Sequence, residues 1–173
     1  MAQRSIWKGM VSFGVVSIPV KLYTATDEKD ISFNLLHKGC GARVKLQRYC
    51  PNCEKVIEWG DVNRGFEVAK GQYVVLEETD FQALPLKSLK SIDIEGFVQA
   101  DQVPLLAMSK PYYVAPEDLG AKPFLLLRKA MESTGLAAIG KLALRERERP
   151  VVIRPHGQAM LIHLLHYTEE IRP

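Results

Sequence analysis

The sequence has no hydrophobic run long enough to cross a membrane as a helix, and the residues around Arg4, Trp7 and Lys8 contain no signal-peptide hydrophobic segment. It has three cysteines, an odd number, and all of them lie between residues 40 and 53. A secreted disulfide scaffold would need more cysteines, distributed along the chain. These absences lead us to expect a protein of the reducing cytoplasm with no membrane partner.

Motifs of common enzyme classes are also missing. The sequence contains no G-x-S-x-G, no Walker A and no G-x-G-x-x-G, so hydrolase, NTPase and dinucleotide-binding functions lack support. His156, His163 and His166 have no obvious acidic partner nearby, and we interpret them as ordinary structural or surface residues.

The 173 residues are 47% hydrophobic, which suits one domain with a sizeable core. The net charge of +3 is unevenly distributed. Residues 1–55 carry nine Lys/Arg against four Asp/Glu, residues 56–135 carry eight against twelve, and residues 136–173 carry six against four. Two basic ends and an acidic middle suggest a polarised surface that could meet a polyanion. The alternative is that these charges only keep an ordinary surface soluble.

The cysteine-containing stretch has the pattern H-x2-C-x9-C-x2-C, formed by His37, Cys40, Cys50 and Cys53. Tetrahedral Zn²⁺ takes four nitrogen or sulfur ligands, and a spacing of two residues lets both members of a pair reach one ion from a tight turn. The pattern therefore predicts a structural zinc site, with His37 as the weakest ligand. A Cys50–Cys53 disulfide or three unliganded thiols are the alternatives.

Residues 43–48 alternate polar and apolar side chains, which is typical of a half-exposed strand. Between the two ligand pairs this would give a metal-clipped hairpin with one cationic face. Residues 31–35 alternate in the same way and predict a strand leading into the hairpin. Residues 61–66 are interpreted as a link, and Gln72–Leu76 as a strong strand. Acidic residues followed by Pro85 predict helical turns over 77–84.

The rest of the chain predicts a mainly β (α+β) fold, an antiparallel barrel or sandwich with small helical additions. In residues 6–23 the alternation changes phase near Val15 and Val16, which predicts a strand with a bulge or sharp bend. Ser91–Val98 predicts a strand with a bulge at Gly96. The helix Pro123–Thr134 has Leu126, Ala130 and Thr134 at spacings of four, with Gly135 at its end. Residues 160–167 predict a buried strand, with a helix as the alternative.

Several separate motifs resemble bacterial Ku proteins over residues 6–172. They are IWKG-x-x-SFG-x-V-x-IPVKLY-x-A-T, DISF-x-x-LH, GQYVVL, KPYYV-x-P and LLRKAMESTGLAAIGKLALR-x-R-E. The resemblance implies a Ku-like core β-barrel over residues 1–173, with the metal-clipped hairpin of residues 37–53 inserted into it. It also implies a non-enzymatic homodimeric ring that threads onto ends of double-stranded DNA without reading sequence and recruits an ATP-dependent DNA ligase for non-homologous end joining. Such a protein would act in the cytoplasm, associated with the nucleoid.

Members of this family usually continue beyond a segment like residues 169–173 into a helical arm and a basic tail. Full locking of the dimer and ligase recruitment would be associated with that continuation. Some bacterial relatives have the cysteine cluster and others lack it, so the zinc site would be structural.

Binding of duplex DNA without sequence preference requires cations that neutralise phosphates, because contacts to base edges would add specificity. The hairpin offers Lys38, Arg43, Lys45 and Arg48 for this role. A later charged turn offers Arg145, Arg147 and Arg149. The alternative for the second group is a self-paired surface turn, since Glu146 and Glu148 are interleaved with the arginines.

Two other functions fit parts of the sequence. One is a zinc-ribbon-type module that binds nucleic acid without a preference for ends. The other is a metal-dependent enzyme, which is disfavoured because four protein ligands leave zinc no open coordination position.

Overall fold

The computed structural model describes residues 4–27, 29–77, 79–80, 90–144 and 147–172. Contacts divide the chain into two compact units. The barrel unit is Met1–Asp27 together with Leu86–Pro173, and the insert unit is Glu28–Pro85. Among the described helices, none is long and apolar enough to span a membrane.

The described residues of the barrel unit form a closed barrel of seven strands with one α-helix and several short 3-10 turns. Its elements are β1 Trp7–Phe13, β2 Val16–Thr24, β7 Ser91–Gln99, β8 Met108–Pro116, α1 Ala121–Thr134, β9 Leu136–Leu144, β10 Arg147–His156 and β11 Ala159–Leu165. The numbers β3 to β6 belong to the insert unit. The barrel strands are hydrogen-bonded in the order β1-β2-β8-β11-β10-β9-β7.

The mainly β barrel expected from the sequence is confirmed, and one detail differs. Six neighbouring pairs are antiparallel, but β1 and β7 are parallel, with Val11 opposite Ile92. This parallel pair closes the barrel, so the sheet is mixed. Closure leaves the barrel without a free sheet edge, which is where strands of different molecules associate most readily.

The phase change in residues 6–23 has a different cause from the predicted bend. The segment is a hairpin, in which β1 and β2 pair with Phe13 opposite Val16. Gly14 and Val15 form the two-residue turn, and the Val15 side chain is fully exposed. A reversal of the chain after Phe13 changes which alternate residues face inward, so it mimics a bulge in the one-dimensional pattern.

The core consists of inward-facing residues that alternate along every barrel strand. They include Val11, Ile18, Val20, Leu22, Ile92, Val114, Leu142, Val151, Ile153, Met160 and Ile162, each at most 1% exposed. Helix α1 adds Phe124, Leu127 and Met131 to this cluster. That buried stripe differs from the spacing proposed from the sequence, because Leu126 is 72% exposed.

Other predictions for the barrel unit are confirmed. The register between β7 and β9 shifts between Ile94 and Gly96, as expected for a bulge. Residues 159–165 form a strand and not a helix. Gly135 follows α1 with a φ of 69°, a left-handed conformation that glycine adopts without a steric penalty, and its N–H donates to the Met131 carbonyl.

The described part of the insert unit contains two short hairpins and little other regular structure. Its strands are β3 Arg48–Cys50, β4 Lys55–Ile57, β5 Arg64–Ala69 and β6 Gln72–Leu76, paired as β3-β4 and β5-β6. The bounds of β6 match the prediction. Strand β5 was missed, because residues 61–66 were interpreted as a link. The helical turns predicted over 77–84 lie mostly outside the described residues.

Two strand predictions in the insert unit are wrong. Residues 31–35 and 44–47 have no regular structure, and the strand expected over 43–48 is reduced to a bridge between Leu36 and Arg43 and the start of β3 at Arg48. Alternation alone does not make a strand unless a neighbouring strand accepts its hydrogen bonds. No described residue of the insert unit is buried, and only Cys50, Ile57 and Leu76 are even partly covered.

Candidate metal and nucleic-acid site

The first predicted ligand pair lies in a tight turn. The His37 N–H donates to the Ala42 carbonyl, and the Gly41 N–H donates to the His37 carbonyl, each at 2.8 Å. This closure brings the Nδ1 atom of His37 to 3.1 Å from the Sγ atom of Cys40. The histidine ring lies over Gly39, where a β-carbon would be only 3.0 Å from the ring Cε1. The side chains of the pair therefore converge, as two ligands of one ion must.

The second pair lies in the turn between β3 and β4, where Cys50 is opposite Lys55. The backbone repeats a feature of the first turn. The residue directly after the second ligand has a positive φ in both, 69° at Gly41 and 51° at Glu54. Glu54 is the single non-glycine residue with positive φ among those described. Two turns of different sequence thus both have a residue with positive φ directly after the second ligand of the pair, at Gly41 and at Glu54.

The second turn favours a thiolate on its first cysteine. The backbone N–H of Cys53 donates to the Cys50 sulfur and lowers the pKa of Cys50, with further contributions from the Cys53 thiol and the Asn52 N–H. The thiol that donates has its own pKa raised by the same interaction. The thiolate is the form that binds metals. The lowered pKa of Cys50 therefore increases the fraction of this residue that is in the metal-binding form. All three cysteines are free thiols in the structure.

The fit of this ligand set to zinc is good within the first turn. Zn–S and Zn–N bonds of about 2.3 and 2.0 Å place neighbouring ligands of a tetrahedral ion about 3.5 Å apart. The His37–Cys40 separation of 3.1 Å is a hydrogen-bonding distance and is shorter than that value, so the pair would have to open slightly around an ion. The two turns together are not assembled, because no group of three or more His, Cys, Asp or Glu side chains in the described ranges lies close enough to hold an ion. The four-ligand zinc site stays a prediction.

The four cations predicted to contact DNA from the insert unit are all exposed. Lys38 lies inside the first ligand turn, and Arg43 is opposite Leu36. Lys45 lies in the irregular segment between the turns. From residue 37 to residue 53 the sequence has these four cations and no acidic residue. The connection between the ligand turns therefore contains cationic side chains and no acidic ones. We call it the basic strip (residues 38–48).

Arg48 is held by an interaction that sequence reasoning missed. Its guanidinium carbon lies 4.1 Å from the centroid of the Trp59 ring, a cation–π contact. Trp59 follows β4, the strand paired with β3, and its side chain is 69% exposed. Pairing of Arg48 with Ile57 in the β3–β4 hairpin brings the two side chains together. The sequence feature that could have indicated this contact is an aromatic residue, Trp59, two positions after Ile57, the strand partner of Arg48.

The second group of predicted DNA contacts lies in the barrel unit. Arg147 is exposed at the start of β10, and Arg145 lies outside the described residues. The Nη1 atom of Arg149 donates to both carboxylate oxygens of Glu170, at 3.1 and 3.0 Å. The Tyr167 N–H lowers the pKa of Glu170, and Arg149 lowers it further. Arg149 is thus already paired with Glu170.

Comparisons with known proteins cover nearly the whole chain. A sequence model described as the Ku70/Ku80 beta-barrel domain matches residues 12–173. The non-homologous end joining protein Ku of Symbiobacterium thermophilum is 42% identical over 173 residues, 99% of this chain and 43% of that protein. The protein of the same name from Archaeoglobus fulgidus is 42% identical over 169 residues, 98% and 67%. That of Bacillus subtilis is 37% identical over 169 residues, 97% and 54%.

The chain therefore spans between 43% and 67% of the length of these relatives. The matched range begins near the end of β1 and includes every later strand of the closed barrel. A domain match of this extent, together with relatives that share about two residues in five, identifies the family. The chain belongs to the family of Ku β-barrel domain proteins.

Proposed function

We propose that this chain is the DNA-end-binding core of a non-homologous end joining protein. In this proposal two copies form a ring that threads onto the end of double-stranded DNA without reading sequence. The ring protects the end and recruits an ATP-dependent DNA ligase, and the chain itself performs no chemical step. It would act in the cytoplasm, at the nucleoid. Membership in the Ku barrel family over residues 12–173 is the observation that carries the proposal.

The basic strip supports the DNA-binding part of the proposal. Four exposed cations without an intervening acid neutralise phosphates and release counterions, and this drives binding that is independent of base sequence. Trp59 holds Arg48 in place, so less side-chain entropy is lost when that guanidinium meets a phosphate. A structural zinc ion held by His37, Cys40, Cys50 and Cys53 would stiffen the same strip from both ends.

The exposed apolar surface of the insert unit supports a homodimer. In the β5–β6 hairpin, Phe66 is 64% exposed and its strand partner Val74 is 50% exposed. Tyr73 and Val75, which face the opposite side of the same strand, are 62% and 55% exposed. A two-stranded hairpin exposed on both faces is marginally stable in water, so it needs a partner surface. A second copy of the same chain is the partner that the family implies.

A gel-shift experiment tests the proposal. Blunt linear duplexes of about thirty base pairs, long enough for a small dimer, are compared with closed circles of matched sequence at several salt concentrations. We expect binding to linear DNA alone, weakening steeply with salt. The double variant Arg43→Ala with Lys45→Ala should weaken binding and reduce the salt slope by about two, since each removed cation neutralises roughly one phosphate.

The matched control is Lys122→Ala with Lys129→Ala, which removes two exposed cations from helix α1. It should leave the salt slope unchanged. Equal binding to linear and circular DNA would contradict the ring. It would favour the alternative function, a zinc-ribbon-type module that binds nucleic acid without a preference for ends. An equal reduction of binding in the two double variants would mean that general charge, and not the basic strip, drives binding.

A further inference from the structure

The outer face of strands β10 and β11 contains a pair of basic side chains that the proposed function does not use. Val151 and Ile153 face the core together with their strand neighbours Met160 and Ile162. Alternation therefore places the intervening residues, including Arg154 and His163, on the outer face of the barrel. Basic residues on an outer face are ordinarily well solvated, whereas these two are partly covered.

Three nitrogen atoms of this pair are withdrawn from solvent without a hydrogen bond. They are the Nε and Nη2 atoms of Arg154 and the Nδ1 atom of His163. Buried polar groups are paired in the great majority of cases, and leaving one unpaired costs stability, more so when the group is charged. Within the described part of the chain, Arg154 also forms no ion pair with a carboxylate. Among the described residues, this permanent positive charge thus has neither a counterion nor an acceptor at these atoms.

The strand register brings the two side chains together. Arg154 is opposite Leu161 and His163 is opposite Val152, so Arg154 and His163 are diagonal neighbours on one face. Diagonal neighbours have Cα atoms about 7–8 Å apart, which is within reach of an arginine side chain. Burial lowers the pKa of His163, and the positive charge of Arg154 lowers it further, in agreement with this proximity. Completely buried Val152 lies in the same row of outward-facing residues.

The two unpaired atoms of Arg154 have the arrangement that an oxyanion requires. Nε and Nη2 lie on the same edge of the guanidinium plane, and this edge is the fork that donates two parallel hydrogen bonds to two oxygens of one anion. The imidazole offers a third nitrogen for a third oxygen. A carboxylate has two oxygens and satisfies the fork alone, whereas a phosphate group can satisfy all three positions.

On the neighbouring strand, the described residues opposite this position are not acidic. On β8, Pro111 is opposite His163 and Tyr113 is opposite Leu161. The Tyr113 ring packs against His156 with centroids 6.2 Å apart. We propose that Arg154 and His163 form a binding site for a phosphate group on the outer face of the barrel. The group could come from the DNA backbone or from a free phosphate compound, and the experiment distinguishes these sources.

Inorganic phosphate is the probe for the site itself. Phosphate is titrated into the full chain at constant pH and ionic strength, and the ring nitrogen resonances of His163 are followed by NMR. We expect saturable shifts in the wild type and about tenfold weaker binding in Arg154→Lys, which keeps the charge but loses the fork. Lys129→Arg, at an exposed position of helix α1, is the control and should bind as the wild type does. No shift in the wild type, or equal affinity in Arg154→Lys, would overturn the proposal.

A stability measurement separates binding from a structural role. In phosphate-free buffer, Arg154→Met removes two unpaired donors and should leave the melting temperature unchanged or raise it. Added phosphate should raise the melting temperature of the wild type and not that of the variant. A lower melting temperature of Arg154→Met without phosphate would show that the arginine supports the fold, and the proposal would fail.

The gel shift with linear duplex identifies the source of the phosphate. A reduction of the salt slope by about one in Arg154→Met, which removes the charge, points to a DNA phosphate, and an unchanged slope points to a free compound. Either result supports the site, provided that His163 responds to phosphate. If the wild type does not bind DNA, the end-binding function fails while the NMR titration still tests the phosphate site.

Discussion

The barrel unit and the insert unit have similar strand-rich sequences, but they bury their apolar residues to very different extents. In the barrel, inward-facing residues such as Leu22 and Ile162 are completely covered. In the insert, no described residue is buried, and Phe33 and Leu46 are 85% and 90% exposed. The barrel therefore holds its own hydrophobic stabilisation, whereas the described part of the insert has secondary structure without a core.

This difference shows where each unit must obtain its stability. A closed sheet satisfies its backbone hydrogen bonds and its apolar faces within one chain. The two hairpins of the insert satisfy only the hydrogen bonds between their own strands. Small structures without a core of their own obtain additional stability from two sources, metal ligation and a partner surface. In the proposed function, the ligand turns of the insert would supply the first source and its exposed apolar side chains the second.

Removal of metal is the test with the largest expected effect on the comparison. We expect about one zinc per chain by elemental analysis, and its chelation should unfold the two ligand turns, because binding of a structural zinc is worth many kcal/mol to a small domain. Limited proteolysis should then cut within residues 37–57 and leave the barrel intact. Cys50→Ser should behave like the chelated protein.

The control for this prediction is the cooperative melting of the barrel, which should not change on chelation. A protein that contains no zinc, or an insert whose protease resistance is the same with and without chelator, would contradict the prediction. In that case a second copy of the chain would have to stabilise the insert alone.

A cavity in the core is the next test, because it should destabilise the barrel only. Leu142 is completely buried on β9. Leu142→Ala should lower the free energy of unfolding by about 3 kcal/mol, since both transfer energy and packing are lost. Leu126→Ala, at a residue 72% exposed on α1, should cost less than about 0.5 kcal/mol. Urea unfolding measures both, and equal costs would show that α1 or β9 packs differently from the structure.

Replacing an exposed apolar residue of the insert should affect assembly of the dimer and not folding of the chain. Phe66→Ser removes an exposed ring from the β5–β6 hairpin and should weaken the dimer about ten- to a hundredfold, as truncation of a central aromatic side chain does in protein interfaces. Leu105→Ser changes an 83% exposed leucine of the barrel unit and should leave the dimer intact. Sedimentation over a range of concentrations measures both. A Phe66→Ser dimer as tight as the wild type would exclude this hairpin from the interface.

The parts of the fold that could be predicted from sequence are those whose signals are local. The bulge at Gly96, the strand β6 and the end of α1 at Gly135 each depend on one residue type in one conformation or on a short β-branched run. Residues 31–35 show the limit of this approach. Their alternation is as regular as that of a strand, but no described strand pairs with them. A strand needs a neighbour, and the sequence of one segment does not specify its neighbour.

The candidate sites likewise divide into features that a local sequence pattern predicts and features that depend on residues far apart in the sequence. Ligand spacing predicted both turns that contain His37 and Cys50, because two ligands separated by two residues are a local feature. Pairing of Arg149 with Glu170 joins residues far apart in sequence, and the position of Arg154 beside His163 depends on the register of two strands. Which outward-facing residues become covered depends on the whole sheet. His163 was therefore interpreted as an ordinary residue.

The smallest effect that we predict concerns the pH dependence of the barrel. Burial lowers the pKa of His163 below the value of about 6.5 that an unfolded chain shows. As the pH falls through 6.5, the unfolded chain binds a proton that the folded chain resists, so the barrel loses stability. Arg154 stays charged throughout and does not contribute to this change. This loss of stability should be complete once the pH is below the pKa of His163 in the folded chain.

Thermal melting in phosphate-free buffer at pH 7.5 and pH 5.5 measures this effect. His163→Gln should lose less stability between the two pH values than the wild type, by roughly 1–2 °C in melting temperature. His156→Gln, at an exposed position at the end of the neighbouring strand β10, should follow the wild type. Phosphate should reduce the loss in the wild type, because an anion beside Arg154 favours the protonated imidazole. Parallel losses in the wild type and in His163→Gln would mean that the imidazole is solvated and that this outer face of the barrel is as open as the insert.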